Sequence, residues 1–159
     1  MKRVFSKALL FCLLASLLGA GAALAEVPDK LTVTLVNKTD AKIYFALSAA
    51  SGGGINDYDY SWGWWVIQPG KKRTLKFDYS PVYEYGFYAM SPDGKRIWAG
   101  ENREGKNAGE FWIQTNDFRK AFKTHPDKPI KGGKKVIFRP LHESEMGKAS
   151  LTFTVKKKK

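Results

Sequence analysis

The chain has 159 residues, with 27 Lys and Arg against 15 Asp and Glu, for a formal net charge of +12. That length fits one domain with a real core and no need for covalent staples. A single cysteine, Cys12, excludes an internal disulfide, and two histidines without a second cysteine exclude an ordinary zinc site.

The first 25 residues read as an export signal. Lys2, Arg3 and Lys7 open it, an apolar run from Ala8 to Leu18 follows with only Ser16 as a hydroxyl, and Ala23-Leu24-Ala25 precedes Glu26. A positive start, a short greasy core and an A-x-A site occur in that order in cleaved leaders. The core is too short for a comfortable membrane span. Cleavage near Ala25/Glu26 is expected, which makes the protein periplasmic or secreted with no transmembrane span afterwards. Three basic residues go with the leader, so the remaining 134 residues carry 24 Lys and Arg against 15 acids, net +9, and no cysteine. The expected organisation is a signal peptide (1–25), one β domain (26–155) and a basic tail (156–159).

Within the domain, Leu31, Val33 and Leu35 alternate with Thr32 and Thr34, which predicts a half-buried strand. Asn37-Lys38-Thr39-Asp40 is a turn cluster, and Ile43, Phe45 and Leu47 continue the alternation, so the two segments are expected to pair as a hairpin. Gly52-Gly53-Gly54 and the polar stretch Asn56–Tyr60 form a loop. Trp62–Ile67 is apolar on both faces, the mark of a strand covered on both sides. Pro69-Gly70 fits the middle of a type II turn. Thr74–Tyr79 alternates again with Leu75, Phe77 and Tyr79 inward, and Tyr83–Met90 is an aromatic strand.

Ser91-Pro92-Asp93-Gly94 is a turn returning through Ile97 and Trp98. Glu101–Gly109 is a polar loop, and Phe111–Gln114 a short strand. Asp117–Lys123 is the one helical candidate: Asn116 or Asp117 caps it, Phe118, Ala121 and Phe122 share a face, and Pro126 stops it. Val136–Phe138 and Leu151–Val155 are the last strands, around a loop from Pro140 to Lys148. The sum is an all-β fold, an antiparallel β-sandwich of about eight short strands with one short helix, or alternatively a small closed β-barrel.

Asn37-Lys38-Thr39, Gly63-Trp64-Trp65-Val66-Ile67-Gln68-Pro69-Gly70, Tyr83-Glu84-Tyr85-Gly86-Phe87-Tyr88-Ala89 and Phe111-Trp112-Ile113 form a set. It resembles a family of small exported bacterial proteins known only as a domain of unknown function. The resemblance spans roughly residues 31 to 122 and implies a secreted β domain, not a reaction. That family often carries cysteines near the N-K-T turn and in its later half; this chain has none there, so any family disulfide is absent. Residues 124 to 159 look unlike the family's usual end.

Chemistry-bearing residues are sparse. Ser144 and Glu145 beside His142 can be drawn as a triad, but neighbours in one loop rarely reach that geometry. His125 lies before Pro126 in a loop. Glu84, Glu101, Glu104 and Glu110 have no spacing that pairs two acids across a cleft. Asn56, Asp57 and Asp59 could offer oxygens to calcium, but without the full twelve-residue loop. No catalysis, cofactor, metal site or nucleic-acid partner is expected.

Binding is the better class. Tyr58, Tyr60 and Trp62 sit beside the glycine loop, and Tyr83 and Tyr85 follow the bend at Pro81; such rings stack on sugars or sit at lipid interfaces. Lys156, Lys157, Lys158 and Lys159 would attract an anionic surface, a term that salt screens. The expected partner is an anionic envelope surface or another envelope protein. The alternatives are a structural envelope-associated protein without a small ligand, and an unrecognised hydrolase.

Overall fold

The computed structural model describes residues 26–51, 59–102, 108–115, 117–118 and 121–155. The leader, the four-lysine tail, the triple glycine, Asn56, Asp57 and Tyr58 lie outside the described residues. The strands are β1 (Lys30–Asn37), β2 (Ile43–Ser51), β3 (Tyr60–Ile67), β4 (Lys72–Asp78), β5 (Tyr83–Met90) and β6 (Ile97–Trp98). They continue as β7 (Glu110–Gln114), β8 (Phe122–Thr124), β9 (Gly133–Ile137), β10 (Arg139–Pro140), β11 (Glu143–Glu145) and β12 (Lys148–Phe153). The fold is a β-sandwich, all-β and not closed into a barrel.

One sheet runs β11-β12-β1-β4 and the larger one β10-β5-β2-β3-β8, with β6 also on β5. Leu31, Val33 and Leu35 of β1 meet Phe45 and Leu47 of β2 and Phe87 of β5 in the core between them. Burying each such side chain contributes about 1.5–3 kcal/mol. A two-stranded ribbon, β7-β9, covers the other face of the larger sheet. There Phe111 and Ile113 pack with Ala46, Trp64, Tyr88 and Phe138. This third layer is why β2, β3 and β5 are apolar on both faces.

A bulge in β3 sorts its tryptophans. Phe45 faces Trp65 while Ala46 faces Gly63, so Trp64 is the additional residue. Trp62 and Trp65, three apart, therefore both reach the inter-sheet core, and Trp64 turns to the ribbon. Gly63 has no room for a side chain: a Cβ there would lie 2.6 Å from the Phe122 ring. The Pro69-Gly70 turn forms as the sequence predicts, with Lys71 N donating to Gln68 O at 3.1 Å and Gly70 at φ 68°.

Four expectations need correction. β1 and β2 do not pair; they lie in different sheets. The Asn37 side chain explains it. It accepts from Thr39 N (2.9 Å) and Thr39 Oγ1 (2.7 Å), and donates to Ala41 O (2.8 Å) and Ile67 O (3.0 Å). These bonds turn 37–41 into a crossover between layers, and β4 and β12 take both edges of β1.

Second, no helix occurs among the described residues, and Phe122–Thr124 is strand β8, paired with Ser61–Gly63. The spacing of Phe118 and Phe122 serves the ribbon-side core instead: Phe118 stacks on Tyr44 at 4.5 Å and Phe122 meets Trp64 at 5.5 Å. Third, the loop expected from Pro140 to Lys148 contains β11, and twelve strands are present among the described residues rather than about eight. Short two- and three-residue pairings leave too little alternation to read. Fourth, the sheet is not wholly antiparallel, because β1 and β12 run parallel.

Candidate functional site

At one end of the sandwich the two sheets part around a cleft of about 580 Å³. Such a volume falls within the range of roughly 300–1,000 Å³ usual for small-molecule sites. The larger sheet supplies Leu47 and Ala49 from β2, Tyr60 and Trp62 from β3, Tyr83 and Tyr85 from β5, and Lys123 from β8. The smaller sheet supplies Lys30 from β1 and Lys76, Phe77 and Asp78 from β4. Alternation decides their roles. Leu47, Ala49, Trp62 and Tyr85 share parity with the core residues of their strands and form the inner wall. Lys30, Lys76 and Asp78 stand on the opposite face of β1 and β4 and form the rim.

The structure thus brings together four of the five aromatic residues singled out in the sequence. Tyr60, Trp62 and Tyr83 are half-buried and Tyr85 is buried; Tyr58 is outside the described residues. Tyr60 and Trp62 lie 6.1 Å apart at a 40° tilt, and Tyr83 meets Tyr85 edge-on at 6.4 Å. Tyr85 is also held by its hydroxyl, which accepts from Ser80 N at 2.9 Å, and by stacking on Tyr79 at 5.8 Å. Burial pushes the Tyr85 phenol above its ordinary pKa, so it stays a neutral hydrogen-bonding group.

Three lysines and one aspartate are among the residues that line this cleft. Lys30 pairs with Asp78 at 2.5 Å. The hydrogen bond raises the Lys30 pKa and lowers that of Asp78, so both stay charged. Lys76 and Lys123 form no salt bridge among the described residues, although the Lys123 charge also helps to lower the Asp78 pKa. The Lys123 ammonium instead sits 4.4 Å from the Tyr60 ring centre and 5.7 Å from that of Trp62. Ring quadrupoles attract cations placed over their faces.

The sequence missed these lysines as site residues. Lys123 reads there as the charged end of a helix, and Lys76 as one more polar residue on an alternating strand. The signal that reveals Lys123 is its pairing with Trp62 across β3 and β8, which no local pattern encodes.

The remaining candidates are placed elsewhere. Ser144 Oγ donates to Lys148 O at 3.3 Å, and Glu145 is ion-paired with Lys148. Glu143 Oε2 accepts from Gly147 N at 2.7 Å and Tyr79 OH at 3.2 Å, which fastens the β11–β12 turn. His142 is exposed. These contacts serve the turn and do not align a nucleophile with a base. His125 packs edge-on to Tyr60 at 6.0 Å. Asp59 is buried and accepts from Ser51 N at 2.8 Å. Among the described residues no three His, Cys, Asp or Glu stand close enough to hold a metal ion, and none forms a helix long and apolar enough to cross a membrane.

Comparison with family models, with curated proteins and with solved structures returned no match. The likeness to exported domains of unknown function rests on the motifs quoted above.

Proposed function

We propose that this is an exported, non-catalytic binding domain whose ligand seat is the aromatic cleft between the sheets. The observation that carries the reading is the convergence of the half-buried Tyr60, Trp62 and Tyr83 with the buried Tyr85 on one opening, with lysines beside them. Rings that only plugged the sandwich would be covered by packing. Tyr60 and Trp62 instead keep ring surface near which the Lys123 ammonium sits. The leader-like first 25 residues support export, and the basic tail supports an anionic envelope surface as the place of action.

Two measurements test it. The N-terminus of the protein recovered from cells should begin near Glu26; a retained leader in a soluble cytosolic pool would overturn export. The processed protein should co-sediment with isolated envelope fractions, and Tyr60→Ala/Trp62→Ala should weaken that at least tenfold without changing the fold. Undiminished sedimentation of the double variant, or none by the parent, would overturn the cleft as the seat.

A further inference from the structure

We propose that the cleft takes an anionic saccharide, a sugar unit bearing a carboxylate, sulfate or phosphate, and that Lys123 leaves the Tyr60 and Trp62 rings to meet the anion. This deepens the reading of the cleft as a binding seat and rests on it.

The ring faces argue for a sugar. A π-face is negative, and the face that holds the Lys123 ammonium at 4.4 Å equally suits the C–H face of a pyranose, which carries partial positive charge. A sugar stacked on Tyr60 or Trp62 must displace Lys123 from that position. The displaced ammonium remains at the cleft wall, because Lys123 is held in the β8–β3 pairing directly opposite Trp62. An anionic substituent on the same sugar gives it a partner.

The rim argues for negative charge. Lys30 bonds Asp78 directly, and with Lys76 and Lys123 beside it the lining carries three lysines against that one carboxylate, a net positive balance for a ligand to meet. The same rim argues against an acyl chain, because filling the cleft with hydrocarbon would strip water from ammonium groups and phenol hydroxyls without replacing their hydrogen bonds.

The experiment is a titration of the processed protein, followed by tryptophan fluorescence and calorimetry. The panel contains an oligogalacturonate, a sulfated oligosaccharide and a sugar phosphate. Each is matched with its neutral counterpart, and with free acetate, sulfate or phosphate. Phosphatidylglycerol vesicles form a separate arm. The expected result is that at least one anionic saccharide binds tenfold or more tightly than both its neutral counterpart and the free anion. Lys123→Ala should abolish that preference for charge while leaving weak neutral-sugar stacking, and Lys123→Arg should restore it.

Equal binding of charged and neutral sugars overturns the anionic part. Binding to vesicles alone, or to free anions as tightly as to saccharides, overturns the sugar. Envelope sedimentation that still depends on Tyr60 and Trp62 while no saccharide binds overturns the ligand class and leaves the cleft reading standing. Loss of both removes the two readings together.

Discussion

The Trp64 indole N–H donates to the Gln114 carbonyl at 2.8 Å, and that bond ties the central sheet to the ribbon lying over it. A second tie runs nearby, from Ser61 Oγ to Trp112 O at 2.8 Å. Trp64 is also ringed by Tyr44, Tyr88, Phe118 and Phe122. Trp64→Ala should cost about 3–5 kcal/mol, the range for truncating a large buried aromatic. Trp64→Phe keeps most of the packing but removes that hydrogen bond, and should cost about 0.5–1.5 kcal/mol. Urea unfolding of both variants checks this. Two costs under half a kcal/mol would show that the ribbon does not depend on the ring.

Gly86 has no space for a methyl group. A Cβ there would meet Ser48 Oγ at 2.6 Å and the Ala108 Cβ at 2.7 Å. Gly86→Ala should therefore destabilise by about 1–3 kcal/mol through overpacking. Ser48 Oγ is itself buried with no hydrogen-bond partner among the described residues, so Ser48→Ala should be neutral or stabilising. Combining the two should be less costly than their sum, because one of the two clashes is gone. Strict additivity of the melting shifts would refute the contact.

Asn37 is wholly buried and uses both ends of its amide. Asn37→Ala should cost about 2–4 kcal/mol by leaving several buried groups unpaired. Asn37→Asp should be worse near neutral pH, because it sets a carboxylate oxygen against the Ala41 and Ile67 carbonyls that now accept from the amide nitrogen. Denaturation midpoints give the order; an aspartate variant more stable than the alanine one would contradict the crossover argument.

Tyr79, Tyr85 and Tyr88 all have phenol pKa values raised above 10.0, chiefly by burial. In the unfolded chain these phenols ionise near the ordinary value, so stability is intact below about pH 10 and falls as pH rises through the folded-state values. For Tyr88 burial is the one cause. Tyr88→Phe should flatten part of the alkaline fall in melting temperature. Identical slopes in parent and variant between pH 9 and 11.5 would contradict it.

Much of both sheets is legible in sequence. Period-two alternation marks β1 and β4, two-sided apolarity marks β3, and Pro69-Gly70 ends it where expected. The pairing of strands is not legible, because it depends on partners far along the chain. Leu31–Val36 looks like half of a local hairpin, yet its neighbours are β4 and β12. The Phe118–Phe122 spacing satisfies helix and ribbon core equally, and only the unfilled edge of β3 decides between them. For the site, aromatic residues beside loops were enough to find four cleft residues. The lysines were not, since a charge becomes part of a site only when distant strands bring it there.

The parallel seam between β1 and β12 sets Thr32 beside Lys148 and Asn37 beside Phe153. Segments at opposite ends of the domain thus make up the middle of one sheet. The smaller sheet therefore cannot be completed until residues 148–153 are present, and a chain clipped before residue 148 is left with β1 open along one side.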